Sequence, residues 1–461
     1  MRSSAQGFLL GTAFVVGGCQ SEHVPQVPSH IVVHIETDAV LLGASPTDQA
    51  PLFDHLRIEI LNAKGELTCA TCARELEATQ ELFLDGVSFT IEQSNAPRFV
   101  RITLAPSALD IQSTRIEVLG IVDDFPVSGG KDVSFSLRTE TVGTPVGTLS
   151  EPLRAQVWTG PQLMPATWKK GSHRPCDTTG DTNVAKGSVC VPGGAFWMGL
   201  APDKFDEYAT CGTHLVVTEP FYMDTHEVSQ SEWFEWATTP IPTIPTGDFY
   251  TGSGSSPCNG VPTHTIASMP ITCVEYDRAR AFCQARGGDL PTEAQYEYVL
   301  GGLRSQKYVW GSGEPSCDDA VLDRTRLGVS PIRGALCNDA TLLSPAFPGV
   351  FTHGVSSPIG RDVLDIGGTL ILDLAGNVAE WARDRYATSE DACWRSEAAN
   401  ILVDPECRVE RDTKNVAFRG GHFGATAALA RASARGAASR NGKYNEIGFR
   451  CVYPGRARPG N

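Results

Sequence analysis

Fourteen cysteines constrain this chain more than any other feature, because their redox state decides where it can fold. So many thiols are a liability in a reducing cytosol, whereas an oxidising compartment turns them into disulfides. The N-terminus is consistent with export. Residues 7–16 form an apolar stretch too short to cross a bilayer as a helix, and Val16-Gly17-Gly18-Cys19 follows it directly. We therefore expect an exported chain whose cysteines are mostly paired.

The segment that ends in Cys19 resembles the lipobox of bacterial lipoproteins. The resemblance implies that residues 1–19 are a lipoprotein signal peptide and that Cys19 is lipidated. The alternative is an ordinary secretory signal with an incidental cysteine. No later segment has 18 consecutive apolar residues, so lipid is the expected membrane anchor. Gln20 favours the outer membrane, with the chain facing the periplasm or the cell surface.

The net charge of −15 excludes some partners. Nucleic-acid binding needs a basic surface that displaces counterions from phosphates, and a broad hold on an anionic membrane needs one too. An acidic surface is typical of a protein that stays soluble after export.

The first folded region is expected at residues 30–155, after a polar tether at 20–29. Segments such as 31–35 and 99–104 have β-type composition, and several alternate apolar and polar residues, as half-buried strands do. Turn-prone clusters such as 128–132 separate them. This pattern predicts an all-β antiparallel sandwich of seven or eight strands.

Cys69 and Cys72 form a CxxC pair inside the predicted sandwich. A zinc site would need a second ligand pair nearby, and a redox CxxC would need a βα context. Neither is evident, so we expect a local disulfide.

The second half carries five short motifs in a fixed order. They are VPGGAFWMG at 191–199, FYMDTHEVS at 221–229, GGDLPTEAQYE at 287–297, DLAGNVAEW at 373–381, and the pair FRGG at 418–421 with GFRC at 448–451. Together they resemble the formylglycine-generating enzyme, or sulfatase-modifying factor, family. The resemblance implies an α+β domain at 188–454, related to C-type lectin domains and poor in regular secondary structure, between a linker at 156–187 and a tail at 455–461.

The resemblance also implies two structural devices. Cys283 and Cys451 stand where the family joins a helix to the last strand by a disulfide. The fourth motif resembles a family calcium site, whose oxygen ligands would come from Asp373, Gly376, Val378 and Glu380. The alternative is that Glu380 pairs with Arg383 or Arg385 while Asn377 makes a turn.

The remaining cysteines are interpreted as structural. Two pairs bracket loops that lengthen the domain relative to a minimal family member, namely Cys317 with Cys337 and Cys393 with Cys407. The sequence leaves the pairing open among Cys190, Cys211, Cys258 and Cys273, and adding Cys176 makes that group odd.

The family's catalytic cysteines are missing. Catalytic members hold copper(I) on two cysteines after the Arg-Gly-Gly motif and use oxygen to convert a substrate cysteine to formylglycine. Copper(I) needs such soft thiolate ligands, and residues 422–431 contain none, with Ala427 where the second cysteine would stand. Copper is therefore not expected at this site.

His422 and Arg435 are the candidate catalytic residues that remain. His422 takes the place of a serine in catalytic members, and Arg435 aligns with a family arginine. An iron site would need a second histidine, for which His226 and His353 are the candidates, together with a carboxylate.

Two functions compete on these grounds. The first is a non-catalytic module that binds a peptide or protein ligand. The second is a metal-dependent oxidase of the same superfamily, which would act on exported peptide or protein substrates.

Overall fold

The protein is described by a computed structural model that covers part of the chain. The described residues are 29–43, 51–94, 96–107, 112–171, 174–176, 187–199, 213–237, 258, 267–316, 319–322, 360–387, 393–394, 400–408 and 414–455. Some predicted features lie outside them: the signal peptide with Cys19, the tether up to residue 28, Cys211, Cys317, Cys337, His353 and the tail beyond 455. No helix among the described residues is long and apolar enough to cross a membrane.

The described part of the N-terminal region contains nine strands and one short α-helix. In chain order they are β1 (His30–Thr37), β2 (His55–Leu61), β3 (Ala73–Glu77), α1 (Gln80–Leu84), β4 (Val87–Glu92), β5 (Arg98–Ala105), β6 (Ile116–Val122), β7 (Gly130–Leu137), β8 (Leu153–Arg154) and β9 (Gln156–Val157). They form one sheet in the order β3-β2-β5-β6-β8 and another in the order β4-β1-β7-β9.

The two sheets bury one apolar core between them. In β1, Ile31, Val33 and Ile35 are at most 3% exposed, while the alternate residues point away from the core. This period of two is what a strand with one buried face requires. The predicted antiparallel arrangement is wrong in two places, because β1 pairs with β7 and β6 with β8 in parallel. A parallel pair needs a long crossover connection, and the chain between the paired strands is long enough to provide one in both cases.

The described part of the C-terminal region contains short strands and three α-helices. In chain order they are β10 (Ser188–Val191), β11 (Gly194–Met198), β12 (His214–Thr218), β13 (Phe221–Asp224), α2 (Gln230–Ala237), α3 (Tyr276–Ala285), α4 (Glu293–Leu300), β14 (Val363–Ile366), β15 (Thr369–Leu372), β16 (Ala379–Arg385), β17 (Ile401–Val403), β18 (Asn415–Arg419), β19 (Gly436–Ser439), β20 (Ile447–Gly448) and β21 (Val452–Pro454). This strand-rich content with few helices agrees with the α+β class.

Small sheets organise this second region. The largest has the order β19-β18-β16-β20, and two others have the orders β10-β13-β21 and β11-β12-β17. Helix α4 packs against β16 and β18. Its start is fixed by a reciprocal cap, in which the Thr292 hydroxyl accepts the Gln295 N–H and the Gln295 amide oxygen accepts the Thr292 N–H. The cap sets where Glu293, the first residue of the helix, enters the core.

Disulfides close several loops of the described chain. The bonds are Cys69–Cys72, Cys176–Cys190, Cys258–Cys273, Cys283–Cys451 and Cys393–Cys407. The Cys283–Cys451 bond ties α3 to the chain just before β21 across a sequence separation of 168. Constraining so long a loop in the unfolded chain stabilises the fold by about 4–5 kcal/mol in the loop-entropy description.

The segment predicted as a linker packs against both regions. Strand β9 adds to the sandwich beside β7, and Trp168 is buried in the sandwich core. Farther along, Cys176 is bonded to Cys190 at the start of the second region. The described part of 156–187 is therefore folded structure and not a free connector.

One apolar cluster spans the two regions, and two further clusters lie within the C-terminal region. Trp197 and Leu215, on β11 and β12, belong to the same buried cluster as the sandwich residues. The Trp197 indole N–H donates to the Leu52 carbonyl at 2.7 Å, and its ring meets Phe53 edge to face at a centroid distance of 5.7 Å. The sandwich and the C-terminal region are thus joined by buried contacts.

We expect Trp197→Ala to destabilise the whole protein by about 3–5 kcal/mol, because it empties a large site in the shared core. It also removes the donor for the Leu52 carbonyl. Urea unfolding, followed by far-UV circular dichroism, should show one cooperative transition in the wild type. Val127→Ala, at a fully exposed position, should leave the midpoint unchanged. Two separate transitions in the wild type would contradict the shared core.

Candidate functional site

The candidate site follows β18 and occupies the position of the missing cysteines. Gly420 and Gly421 turn the chain with φ of +91° and +74°. A Cβ on Gly420 would lie 2.7 Å from the Tyr296 hydroxyl, so only glycine fits there. The chain then forms a short 3-10 turn at Ala427–Ala430, which we call the alanine turn. The Tyr308 hydroxyl lies 3.2 Å from the Ala427 carbonyl and 2.9 Å from the Glu314 carboxylate, and it shares its single proton between them.

His422 lies at the start of this segment and is largely buried. Its Nδ1 accepts the Gly424 N–H at 3.2 Å. Burial lowers the pKa of His422 to about 4, so the ring is neutral at pH 7. Among the described residues, no group of three His, Cys, Asp or Glu side chains is arranged to hold a metal ion. The Nδ1 atom of His226 lies 2.9 Å from the Glu227 carbonyl oxygen. The role of His226 as a second histidine ligand of an iron site stays a prediction.

Arg435 belongs to a buried network of ion pairs. Its guanidinium meets both carboxylate oxygens of Glu293, and each of the two side chains is at most 1% exposed. The same guanidinium lies over the rings of Tyr386 and Trp394 and donates to the Ala387 carbonyl at 2.7 Å. Its polar atoms are therefore directed into the core, which suits a structural role better than contact with a substrate.

Arg419 extends the network from the end of β18 to the first turns of α4. Its Nε donates to Glu293 and its Nη1 to Glu297, both at 2.9 Å. Burial alone would raise the pKa of Glu293, but the charges of Arg435 and Arg419 outweigh burial and lower it. Glu293 is thus a buried carboxylate kept ionised by two arginines.

The predicted calcium ligands lie beside a second buried cluster. The Glu380 carboxylate already accepts three hydrogen bonds of 2.7–2.9 Å from the Arg450 guanidinium. Arg450 also donates to the carbonyls of Leu372 and Asp373 at 2.9 Å. The Arg450 guanidinium therefore already neutralises Glu380. The calcium site stays a prediction.

The alternative reading of the fourth motif is partly right. Asn377 does turn the chain, with φ of +56°, but the partner of Glu380 is Arg450 and not Arg383 or Arg385. The Asn377 amide donates to Glu227 at 2.6 Å. Burial, followed by the charges of Asp373 and Glu380, raises the pKa of Glu227 well above its ordinary value.

Sequence reasoning missed the partners in both clusters. Glu293 lies in LPTEAQYE and pairs with Arg419, and Arg450 lies in GFRC and pairs with Glu380. The members of each pair are 70 or more residues apart, so no sequence spacing predicts the pairing. The available signal was two carboxylates one helical turn apart in a helix with no other charged residue. Burial of such carboxylates is costly unless positive groups compensate them, which the arginines do here.

The fold and the site define a class: a strand-rich α+β domain held by disulfides and buried ion pairs. A sequence model of the sulfatase-modifying factor enzyme 1-like domain matches residues 177–454, more than half of the chain. The chain belongs to this family.

Similar proteins include enzymes and a protein named as inactive. A formylglycine-generating enzyme of Mycobacterium tuberculosis is 30% identical over 195 residues, which are 40% of this chain and 58% of that relative. One of Thermomonospora curvata is 26% identical over 279 residues, which are 51% and 83% of the two chains. The inactive C-alpha-formylglycine-generating enzyme 2 of Bos taurus is 33% identical over 126 residues, which are 26% and 35%. The first and third matches span less than two thirds of those relatives.

We expect burial of neutral His422 to make stability depend on pH. Its pKa of about 4 in the folded protein lies below the ordinary 6.5, so between these values only the unfolded chain binds the proton. The His422 contribution to stability is complete above pH 6.5 and declines as the pH falls toward 4. Urea unfolding at pH 7 and pH 5 should therefore show a larger loss for the wild type than for His422→Gln. Equal losses would mean that His422 is not desolvated.

We expect Arg435→Met to cost about 3–5 kcal/mol, because it leaves the buried carboxylate of Glu293 with one arginine fewer. Chemical unfolding at pH 7 measures this loss. The matched control is Arg440→Met, which removes an exposed ion pair with Asp277 and should cost no more than about 1 kcal/mol. Equal small effects would contradict a structural role for Arg435.

Proposed function

We propose that this chain is an exported lipoprotein whose C-terminal domain binds a peptide or protein ligand without oxidising it. The observation that carries the proposal is the alanine turn. Where catalytic relatives hold copper(I) on two thiolates, residues 422–431 of this chain contain no cysteine, and Ala427 of the turn stands where the second one would be. No rotation of these side chains can supply a soft ligand.

The geometry around His422 also favours binding over redox chemistry. A single neutral imidazole is a weak site for iron without a second histidine and a carboxylate. The ring is mostly buried and its Nδ1 is already engaged by the Gly424 N–H. The inactive bovine relative, similar over about a quarter of this chain, is named as a family member without the activity.

A surface suited to a ligand lies near the alanine turn and presents Trp310 and Arg361. The Trp310 ring stacks on the buried Tyr308 ring at a centroid distance of 4.9 Å with planes 8° apart. The Arg361 guanidinium lies 5.7 Å from the Trp310 ring centroid. Trp310 is half-buried, and the Glu314 carboxylate accepts from Tyr308 at 2.9 Å. Aromatic rings and arginine are the groups that most often anchor protein–protein contacts.

Elemental analysis by mass spectrometry tests the proposal on the full chain, solubilised in detergent and purified without added metals. We expect no stoichiometric copper or iron, and no conversion of cysteine to formylglycine when a cysteine peptide is incubated with the chain, copper(I) and oxygen. Calcium near one per chain would support the predicted calcium site, and its absence would reject it.

The opposite outcome favours the oxidase. Stoichiometric iron or copper that is lost in His422→Ala would replace the binding proposal by a metal-dependent oxidase acting on exported peptides or proteins. The intact mass of the same preparation tests the membrane anchor. Acyl chains on Cys19 as the first residue support a lipoprotein, and an unmodified N-terminus elsewhere rejects it.

A further inference from the structure

A cavity of about 320 Å³ opens on the outer face of the sandwich, away from the family domain's site. Its floor is β1, where His34 and Glu36 project from the face opposite the buried Ile35. The turn between α1 and β4 forms one wall, and the segment after β9 forms the other. This volume is at the lower end of the range for small-ligand pockets.

Glu36 is the unusual residue of this cavity. The side chain is 4% exposed, although it lies on the face of β1 that points away from the core. One carboxylate oxygen accepts the Gln162 N–H at 2.9 Å, and the other has no hydrogen bond to any described residue. A carboxylate oxygen without a hydrogen bond can accept one from a cationic donor. The cavity walls contain a second carboxylate, Asp85, and no lysine or arginine.

The walls beside Glu36 are aromatic and apolar. The ring of Trp158 stacks on His34 at a centroid distance of 4.2 Å with planes 5° apart, and His34 is held by Asp132 at 2.8 Å. The indole is therefore fixed in place at the cavity. Leu84 and Met164 stand at the opening, 52% and 41% exposed. An indole attracts a cation through its ring electrons, and aliphatic side chains suit an alkyl chain.

We propose that this cavity binds the ammonium group of an alkylamine, with Glu36 as its counter-ion and Trp158 as its aromatic wall. The ammonium would donate to the open Glu36 oxygen while its alkyl chain lies against Leu84 and Met164. A free amine and the lysine side chain of a polypeptide share this chemistry. The site is independent of the alanine turn, so it stands whether or not the C-terminal domain proves catalytic.

Isothermal titration of the full chain with n-butylammonium chloride tests the proposal. We expect saturable binding by the wild type that falls about tenfold or more in Glu36→Gln, the range for losing a charged hydrogen bond. The variant keeps an oxygen for the Gln162 N–H, and its unfolding midpoint should match the wild type. The control is Glu92→Gln, which removes the same charge from an exposed position on the neighbouring strand β4 and should bind normally. Trp158→Leu should weaken binding about three- to tenfold.

Two further probes decide the source and the chemistry of the ligand. A capped Gly-Lys-Gly peptide that binds with the same dependence on Glu36 identifies a lysine side chain as a ligand, and binding of butylammonium alone identifies a small amine. Equal affinity for n-butanol, normal binding by Glu36→Gln, or no binding at millimolar concentration would each overturn the ammonium site.

Discussion

Glu293 holds together the parts of the C-terminal domain that come from distant segments of sequence. It begins α4, and its carboxylate joins Arg419 at the end of β18 to Arg435 just before β19. These contacts fix the two ends of the segment that carries the alanine turn. Because the charges are fully buried, each depends on the others, and loss of one leaves an uncompensated charge in an apolar medium. The shape of the candidate site therefore depends on the buried ion pairs of Glu293 with Arg419 and Arg435.

Buried ion pairs also account for the charged residues in four of the family motifs. In GNVAEW and GFRC, Glu380 and Arg450 neutralise one another, and in LPTEAQYE and FRGG, Glu293 and Glu297 neutralise Arg419. These motifs therefore explain how the domain folds. They do not by themselves supply a reactive group, which is why a chain can keep all of them and lack the thiolates that copper(I) requires.

How far the sequence predicts this molecule depends on the range of the interactions. Alternation in β1 predicts a half-buried strand because the pattern is local, and the CxxC spacing predicts the Cys69–Cys72 bond for the same reason. The parallel pairing of β1 with β7 joins strands that are about a hundred residues apart in the sequence, and no local pattern predicts it. At the site, the missing cysteines are plain from the sequence. The roles of Arg435 and Arg450 are not, because each finds its carboxylate 70 or more residues away.

The Cys283–Cys451 bond has a consequence for how this half of the protein responds to proteolysis. A cut at any peptide bond between these two cysteines leaves both fragments covalently joined, because the bond spans 168 positions of sequence. That interval contains the strands β16 and β18 and the loop with the alanine turn. A nicked molecule would then keep its two fragments at a high effective concentration, so strands on different fragments would stay paired in the sheet. This half of the protein can therefore stay folded after its backbone has been cut once between the two cysteines.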